Sequence, residues 1–121
     1  MTEVSGLKVL EDVKDSLGLA KEDDSFNSEL LLHINAAFIF VNQAGAGVEG
    51  LVITKDTVWN DLIDQSQETG NKNFSIIKQY IFTKVKVLFD PPQSSATLEV
   101  FNNLVEELLW RIRLAYEPEG R

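Results

Sequence analysis

His33 is the only histidine of this 121-residue chain, and cysteine is absent. Imidazole catalysis or histidine-based metal binding would therefore have to pass through one ring. Glu29 lies four residues earlier, a spacing that pairs the two side chains on one helix face. A carboxylate–histidine pair without a second pair of ligands is not a metal site, and no Glu-x-x-His motif accompanies it. The missing cysteines remove disulfides, thiolate nucleophiles and cysteine-based zinc sites together. No serine sits in a nucleophile-elbow pattern, so Ser-His-Asp catalysis has no support.

Two further clusters have the right residue types for chemistry. Glu11-Asp12, Asp15 and Glu22-Asp23-Asp24 gather carboxylates near the N-terminus. Calcium loops alternate their oxygen ligands around a turn glycine and close on a glutamate, an order this stretch lacks. Acids at helix starts instead complement the positive end of the macrodipole, so these read as solvated, capping residues. Gly45-Ala46-Gly47-Val48-Glu49-Gly50 matches G-x-G-x-x-G literally. A dinucleotide loop needs a strand before it and a helix opening at its third glycine. Here a helical pattern precedes and β-prone residues follow, so it reads as a helix C-terminus and loop. No catalytic, cofactor-binding or metal-binding residue emerges, and the chain reads as a non-enzyme.

The elements that carry these residues follow from apolar periodicity. Phe89-Asp90-Pro91-Pro92 is a hard stop between two helical runs. Phe74, Ile77, Ile81, Val85 and Leu88 recur at helical spacing before it, and Leu98, Phe101, Val105, Leu108, Ile112 and Ala115 after it. The prolines lack an N–H and crowd the preceding turn, and Pro91 drives Asp90 from the α region. The first of these helices should therefore end near Leu88 or Phe89, with Ser94 and Ser95 offering hydroxyls to the next. Val85-Lys86-Val87 alternates like a strand, but the wider 3.6-residue period favours helix. Leu7, Leu10, Val13 and Leu17 predict a short N-terminal helix ended by Gly18. A second, capped by Asp24 or Ser25, is apolar almost all round from Leu30 to Val41, which predicts burial by its neighbours or by a partner subunit. Leu51-Val52-Ile53 suggests an extended arm or strand rung. Thr54 or Asp56 should cap a short helix over Val58, Trp59, Leu62 and Ile63, and Gly70-Asn71 should turn the polar stretch 65–73. The expected fold is all-α, a small bundle of four to five helices in one domain over residues 1–121. Its long C-terminal helix, about residues 95–116, would span roughly 33 Å.

Charge is unevenly distributed. Residues 1–70 carry four lysines against thirteen acids, a net of −9; residues 71–121 carry seven basic residues against six acids, a net of +1. A net charge of −8 repels phosphate and disfavours generic nucleic-acid binding. Lys72, Lys78, Lys84 and Lys86 surround the helix over 74–88, with Arg111 and Arg113 near the end of the last helix. They form a solvated face or a docking surface. They are too sparse, and too free of interleaved aromatics, to read DNA. No run approaches the roughly 20 apolar residues a membrane span needs. Met1-Thr2-Glu3-Val4-Ser5 has neither a basic n-region nor an apolar h-region, so the expectation is a protein that is not exported.

Several blocks together resemble a known family. Ser28-Glu29-Leu30-Leu31-Leu32-His33-Ile34-Asn35-Ala36-Ala37 followed by Asn42-Gln43-Ala44-Gly45 is similar to the second helix of small bacteriophage head-tail connector (adaptor) proteins. Val58-Trp59-Asn60-Asp61-Leu62 and Lys84-Val85-Lys86-Val87-Leu88-Phe89-Asp90-Pro91-Pro92 resemble its two later blocks, and Val105-Glu106-Glu107-Leu108-Leu109-Trp110-Arg111-Ile112 its C-terminal helix. Order, spacing and the Asp90-Pro91-Pro92 corner carry the likeness, over about residues 7–115. The resemblance implies an all-α head-completion subunit of a phage or prophage, forming a ring between the capsid portal and the tail. Its implied partners are further copies of itself, the portal protein and a tail or stopper protein, with DNA passing through unbound. It implies a place at the virion neck after synthesis in the host cytoplasm, and no cofactor or membrane. In such a ring Asp12, Asp15, Asp23 and Asp24 would supply one subunit face and Lys78, Lys84 and Lys86 the other. The alternative is a small helical DNA-binding regulator. It would need a basic recognition helix, whereas the helix after the corner has no Arg or Lys before Arg111.

Overall fold

The computed structural model describes residues 6–63 and 74–116. In order these form α1 (Val9–Ser16), α2 (Asn27–Gln43), a 3-10 turn (Trp59–Leu62), α3 (Phe74–Phe89) and α4 (Ser95–Ala115). The all-α expectation holds, and the longest helix is the C-terminal one. Among the described residues, β pairing is confined to an isolated antiparallel bridge between Lys8 and Val58. The expected Gly70-Asn71 turn, in the polar stretch 65–73, lies outside the described residues.

The proline corner separates α3 from α4 where the sequence demands it. α3 closes at Phe89, with the Asp90 N–H donating to the Lys86 carbonyl at 2.9 Å. The Lys86 ammonium reaches the Asp90 carboxylate at 2.8 Å. Ser94 caps α4, its hydroxyl oxygen accepting from the Thr97 N–H at 3.3 Å. Phe89 meets Phe26 edge to face, with ring centroids 5.2 Å apart. The end of α3 thus sits at the start of α2, and the two helices run antiparallel. α4 doubles back along α3 until Tyr116 lies beside Gly45 at the end of α2. α3 is the central helix, packed by α2 on one side and α4 on the other.

One continuous core results. It takes Val9, Leu10 and Val13 from α1, Leu30, Ile34, Phe38 and Val41 from α2, Ile77, Tyr80, Ile81 and Val85 from α3, and Val105 and Ile112 from α4. Trp59, Leu62 and Ile53 enter it from the connection between α2 and α3. For α2, its own neighbours supply only part of the expected burial. Although it is apolar nearly all round, only the stripe facing α1 and α3 is buried, while Leu32 (68 %) and Ile39 (56 %) are exposed. Four helices do not provide enough surface to enclose one of their own.

The turns also differ from expectation. Neither Asp24 nor Ser25 caps α2, which opens at Asn27 after Phe26. Asp23 instead accepts the Ser25 N–H at 2.9 Å, and Asp24 accepts from the Asn27 amide at 3.2 Å, so both acids close the preceding turn. The short helix is a single 3-10 turn, and Thr54 and Asp56 do not cap it. Its entry is held by Asp61, which accepts the Val58 N–H at 3.0 Å. Leu51-Val52-Ile53 finds no partner strand. Asn35 on α2 takes that place: its carbonyl oxygen accepts the Ile53 N–H at 2.8 Å and its amide donates to the Ile53 carbonyl at 3.0 Å. The glycine run does end α2, as expected. Gly47 has φ +74°, and a Cβ there would lie 2.8 Å from the Phe38 ring, a contact on the buried side of α2.

Two measurements test this core. Asn35→Ala should leave both Ile53 backbone groups without their partners, costing about 2–4 kcal/mol in urea denaturation; an unchanged midpoint would mean the segment is anchored elsewhere. Burial pushes the Tyr80 hydroxyl up to about 12 from 10.0. The folded protein then holds a proton that the unfolded chain releases, so stability is intact below pH 10 and falls as pH rises towards 12. The loss should reach roughly 2 kcal/mol by pH 12, and Tyr80→Phe should flatten that part of the thermal melting profile.

Candidate assembly surfaces

The charged residues expected on subunit faces divide into three groups. Asp12 and Lys78 meet each other inside the subunit, Lys78 Nζ lying 2.9 Å from Asp12 Oδ2 with both side chains mostly covered. The same oxygen accepts the Trp59 indole N–H at 2.9 Å. The Lys78 ammonium also stands 5.5 Å from the centroid of the Trp59 ring and 5.6 Å from that of Phe82. One carboxylate, one ammonium and one indole therefore tie α1, the 3-10 turn and α3 together. The arrangement follows from α1: Val9 and Val13 face the core, and Asp12 sits at the edge of that face, against α3.

The second group belongs to the turn before α2. Asp23 and Asp24 carry the hydrogen bonds already described, and those from Ser25 hold the Asp23 carboxyl below the usual carboxylate range. Asp15 is exposed on α1 and lines a surface depression of about 240 Å³ with Leu7, Glu11 and Leu19. The third group lies along α3. Lys84 stands over the Phe40 ring at 5.5 Å, and Lys86 pairs with Asp90. Asp15, Asp23, Asp24, Lys84 and Lys86 thus remain as the candidates for charges at a subunit rim.

Large apolar side chains also reach the surface. α4 buries Val105 and Ile112 on one side and presents Val100 (65 %), Leu104 (42 %), Trp110 (54 %) and Leu114 (52 %) to solvent on the other. The inward stripe is the one the sequence predicts. The outward stripe was missed, although its signal is present: Val100, Leu104 and Leu114 recur at helical offsets that the core-facing set leaves unused. A second apolar surface joins Ile39 of α2 to Val52, around a groove of about 500 Å³ also lined by Asn42, Gln43 and Glu49. Both faces are candidates for contact with another macromolecule.

Elsewhere, His33 Nε2 lies 3.4 Å from Glu29 Oε2 on the outside of α2, the helical pair expected from the spacing. Among the described residues no group of three or more His, Asp or Glu side chains is placed to hold a metal ion. No helix there is long and apolar enough to cross a membrane. Arg111 is engaged by Glu107 through two contacts, of 3.1 and 3.2 Å. Buried Lys14 was not singled out by sequence reasoning: its ammonium donates to the Lys21 carbonyl at 2.9 Å and to Asn27 at 3.0 Å, pinning the loop that leads into α2.

A family model described as phage connector protein matches residues 9–119. No curated protein and no solved structure matches the chain.

Asp12→Ala separates the internal role of this carboxylate from an interfacial one. It removes a charge-assisted contact and leaves the Trp59 N–H and Lys78 without their partner. It should lower the stability of the isolated subunit by about 1.5–3 kcal/mol in denaturant titration. Unchanged subunit stability with impaired assembly would return Asp12 to the subunit interface.

Proposed function

The chain belongs to the phage connector protein family, and from that membership we propose that it is a subunit of a head–tail connector ring. The established part is a structural connector role in a bacteriophage. The proposed part is specific: the subunits complete the head as a ring on the portal, and a tail or stopper protein docks on the ring's other side. The protein would be made in the host cytoplasm and reside at the virion neck.

The observation that carries this reading is the presence of two separate apolar faces on one small subunit. A ring needs heterologous contacts, with one face of each copy meeting a different face of the next. The outer stripe of α4 and the groove between Ile39 and Val52 provide two such faces. Asp15, Asp23 and Asp24 on one side, with Lys84 and Lys86 on the other, would steer and orient copies while apolar contacts supply most of the affinity. The net charge of −8 suits a channel through which DNA slides, because phosphate is repelled rather than held. The portal would act as template, holding neighbours at high effective concentration. The DNA-regulator alternative fares worse, since α4 exposes Glu99, Glu106 and Glu107 where a recognition helix needs cations.

Electron microscopy of purified portal mixed with this protein tests the proposal. A ring of added density at the portal's tail-facing end is the expected result, and Lys84→Glu with Lys86→Glu should reduce its occupancy. Bare portals at protein concentrations well above micromolar would overturn the assignment.

A further inference from the structure

The outer face of α4 is nearly palindromic. Val100, Leu104, Glu107, Arg111 and Leu114 advance by alternating steps of four and three residues, the spacing that forms the seam of a helix pair. Glu107 marks the middle of that face, directly opposite the buried side. Val100 and Leu114 lie seven residues to either side of it, and Leu104 and Trp110 three residues to either side. All four are large, apolar and substantially exposed. The charges are not mirrored position by position, but they segregate by sign about the same point: Glu99 and Glu106 lie towards the N-terminal end, Arg111 and Arg113 towards the C-terminal end, all exposed.

We infer that two free copies of this chain pair through α4, antiparallel, across a two-fold axis at Glu107. In that register Val100 of each copy faces Leu114 of the other, so the two apolar ends of the stripe cover one another. Leu104 and Trp110 lie at matching heights along the seam. Arg113 of one copy comes within a helical turn of Glu99 of the other on the same rim. The two Glu107 carboxylates meet at the axis, each paired with Arg111 of its own helix, so the central layer carries no net charge; such a polar layer within an apolar seam fixes register at a cost in stability. A parallel pair would instead bring the two acidic N-terminal parts of α4 side by side, and likewise the two basic C-terminal ends. The contact is isologous and therefore closed: it ends at two copies and withdraws both α4 faces from further growth. The seam is one helix wide, smaller than a standard stable interface, so the pair is weak and exchanges readily.

The native chain has no cysteine, so introduced thiols report the register directly. Val100→Cys and Leu114→Cys are prepared separately, mixed and mildly oxidised. Facing positions bring the Cβ atoms within disulfide reach. The mixture is expected to give a covalent dimer, and neither variant alone should do so, because its own thiols lie about 21 Å apart in the antiparallel pair. Analytical ultracentrifugation of the unmodified chain should show a concentration-dependent dimer. Leu104→Glu, at an exposed position that leaves the core untouched, should raise the dissociation constant at least about tenfold with an unchanged circular dichroism spectrum. A monomer at every concentration up to about 1 mM, self-crosslinking of Val100→Cys, or a ladder of larger species would each overturn the inference. Portal protein takes no part in these measurements, so their outcome is independent of the connector assignment.

Discussion

The carboxamide of Asn35 takes the place of a strand partner for Ile53, and the path of the described chain after α2 depends on it. The chain from Ala44 onward has no regular structure until Trp59, yet it must deliver Ile53, Trp59 and Leu62 to the core. Backbone groups that approach a core without a ladder need other partners. Asn35 supplies both at once, pairing with the N–H and the carbonyl of Ile53, and its amide also bonds the Leu31 carbonyl of its own helix. That third bond holds the side chain against α2, so the connection is fixed to a rigid element. Trp59 then reaches full burial, where Asp12 satisfies its indole N–H and Phe74 and Phe82 pack edge to face at 5.8 and 5.7 Å.

Features governed by local periodicity were legible in the sequence. The helices over 74–89 and 95–115, the stop at Asp90-Pro91-Pro92, the Ser94 cap and the glycine-ended α2 each follow from neighbours a few residues apart. The 3.6-residue period correctly outweighed the strand-like alternation of Val85-Lys86-Val87. Features set by long-range partners were not legible. Asp12 and Lys78 are far apart in sequence, so opposite charges that neutralise each other across the core look the same as charges waiting for another subunit. Asn35 gives no sign of its role in the sequence, because its partner Ile53 is in a loop with no periodicity. The α2 cap expected from Asp24 or Ser25 failed for a related reason: Asp24 accepts from the Asn27 side chain and Ser25 gives its N–H to Asp23, so the preceding turn engages both.

The candidate surfaces were only half legible. Charge asymmetry between the two parts of the chain is visible from composition, but which charges stay at the rim depends on packing. α4 shows the difficulty. Its inward stripe of Val105 and Ile112, flanked by Leu98, Phe101 and Leu108, is complete enough to explain a helix, so the leftover Val100, Leu104, Trp110 and Leu114 passed as variation. A helix of 21 residues packed mainly on α3, with a smaller contact to α2, leaves its far side open. Large apolar residues there have no part in the folding of the subunit.

Folding and association therefore draw on different residues. The core is closed without help: Trp59, Ile34, Val85 and Ile112 are fully buried in the single chain, and the Asp12–Trp59–Lys78 contacts are satisfied internally. Residues on the outer α4 stripe and around Val52 can be solvated or covered without unpairing any buried polar group among those contacts. A subunit with this division is preorganised, and association does not bear the cost of ordering its backbone. Its apolar faces are also small and divided by charge, with Glu107 and Arg111 between Leu104 and Leu114 and with Glu49 beside Val52. Charges set within an apolar stripe weaken random hydrophobic contact, because an apolar surface laid over them strips their water without replacing it. The division of labour thus favours a subunit that is stable alone, adheres weakly to arbitrary surfaces, and binds well only where geometry brings several of its modest faces together.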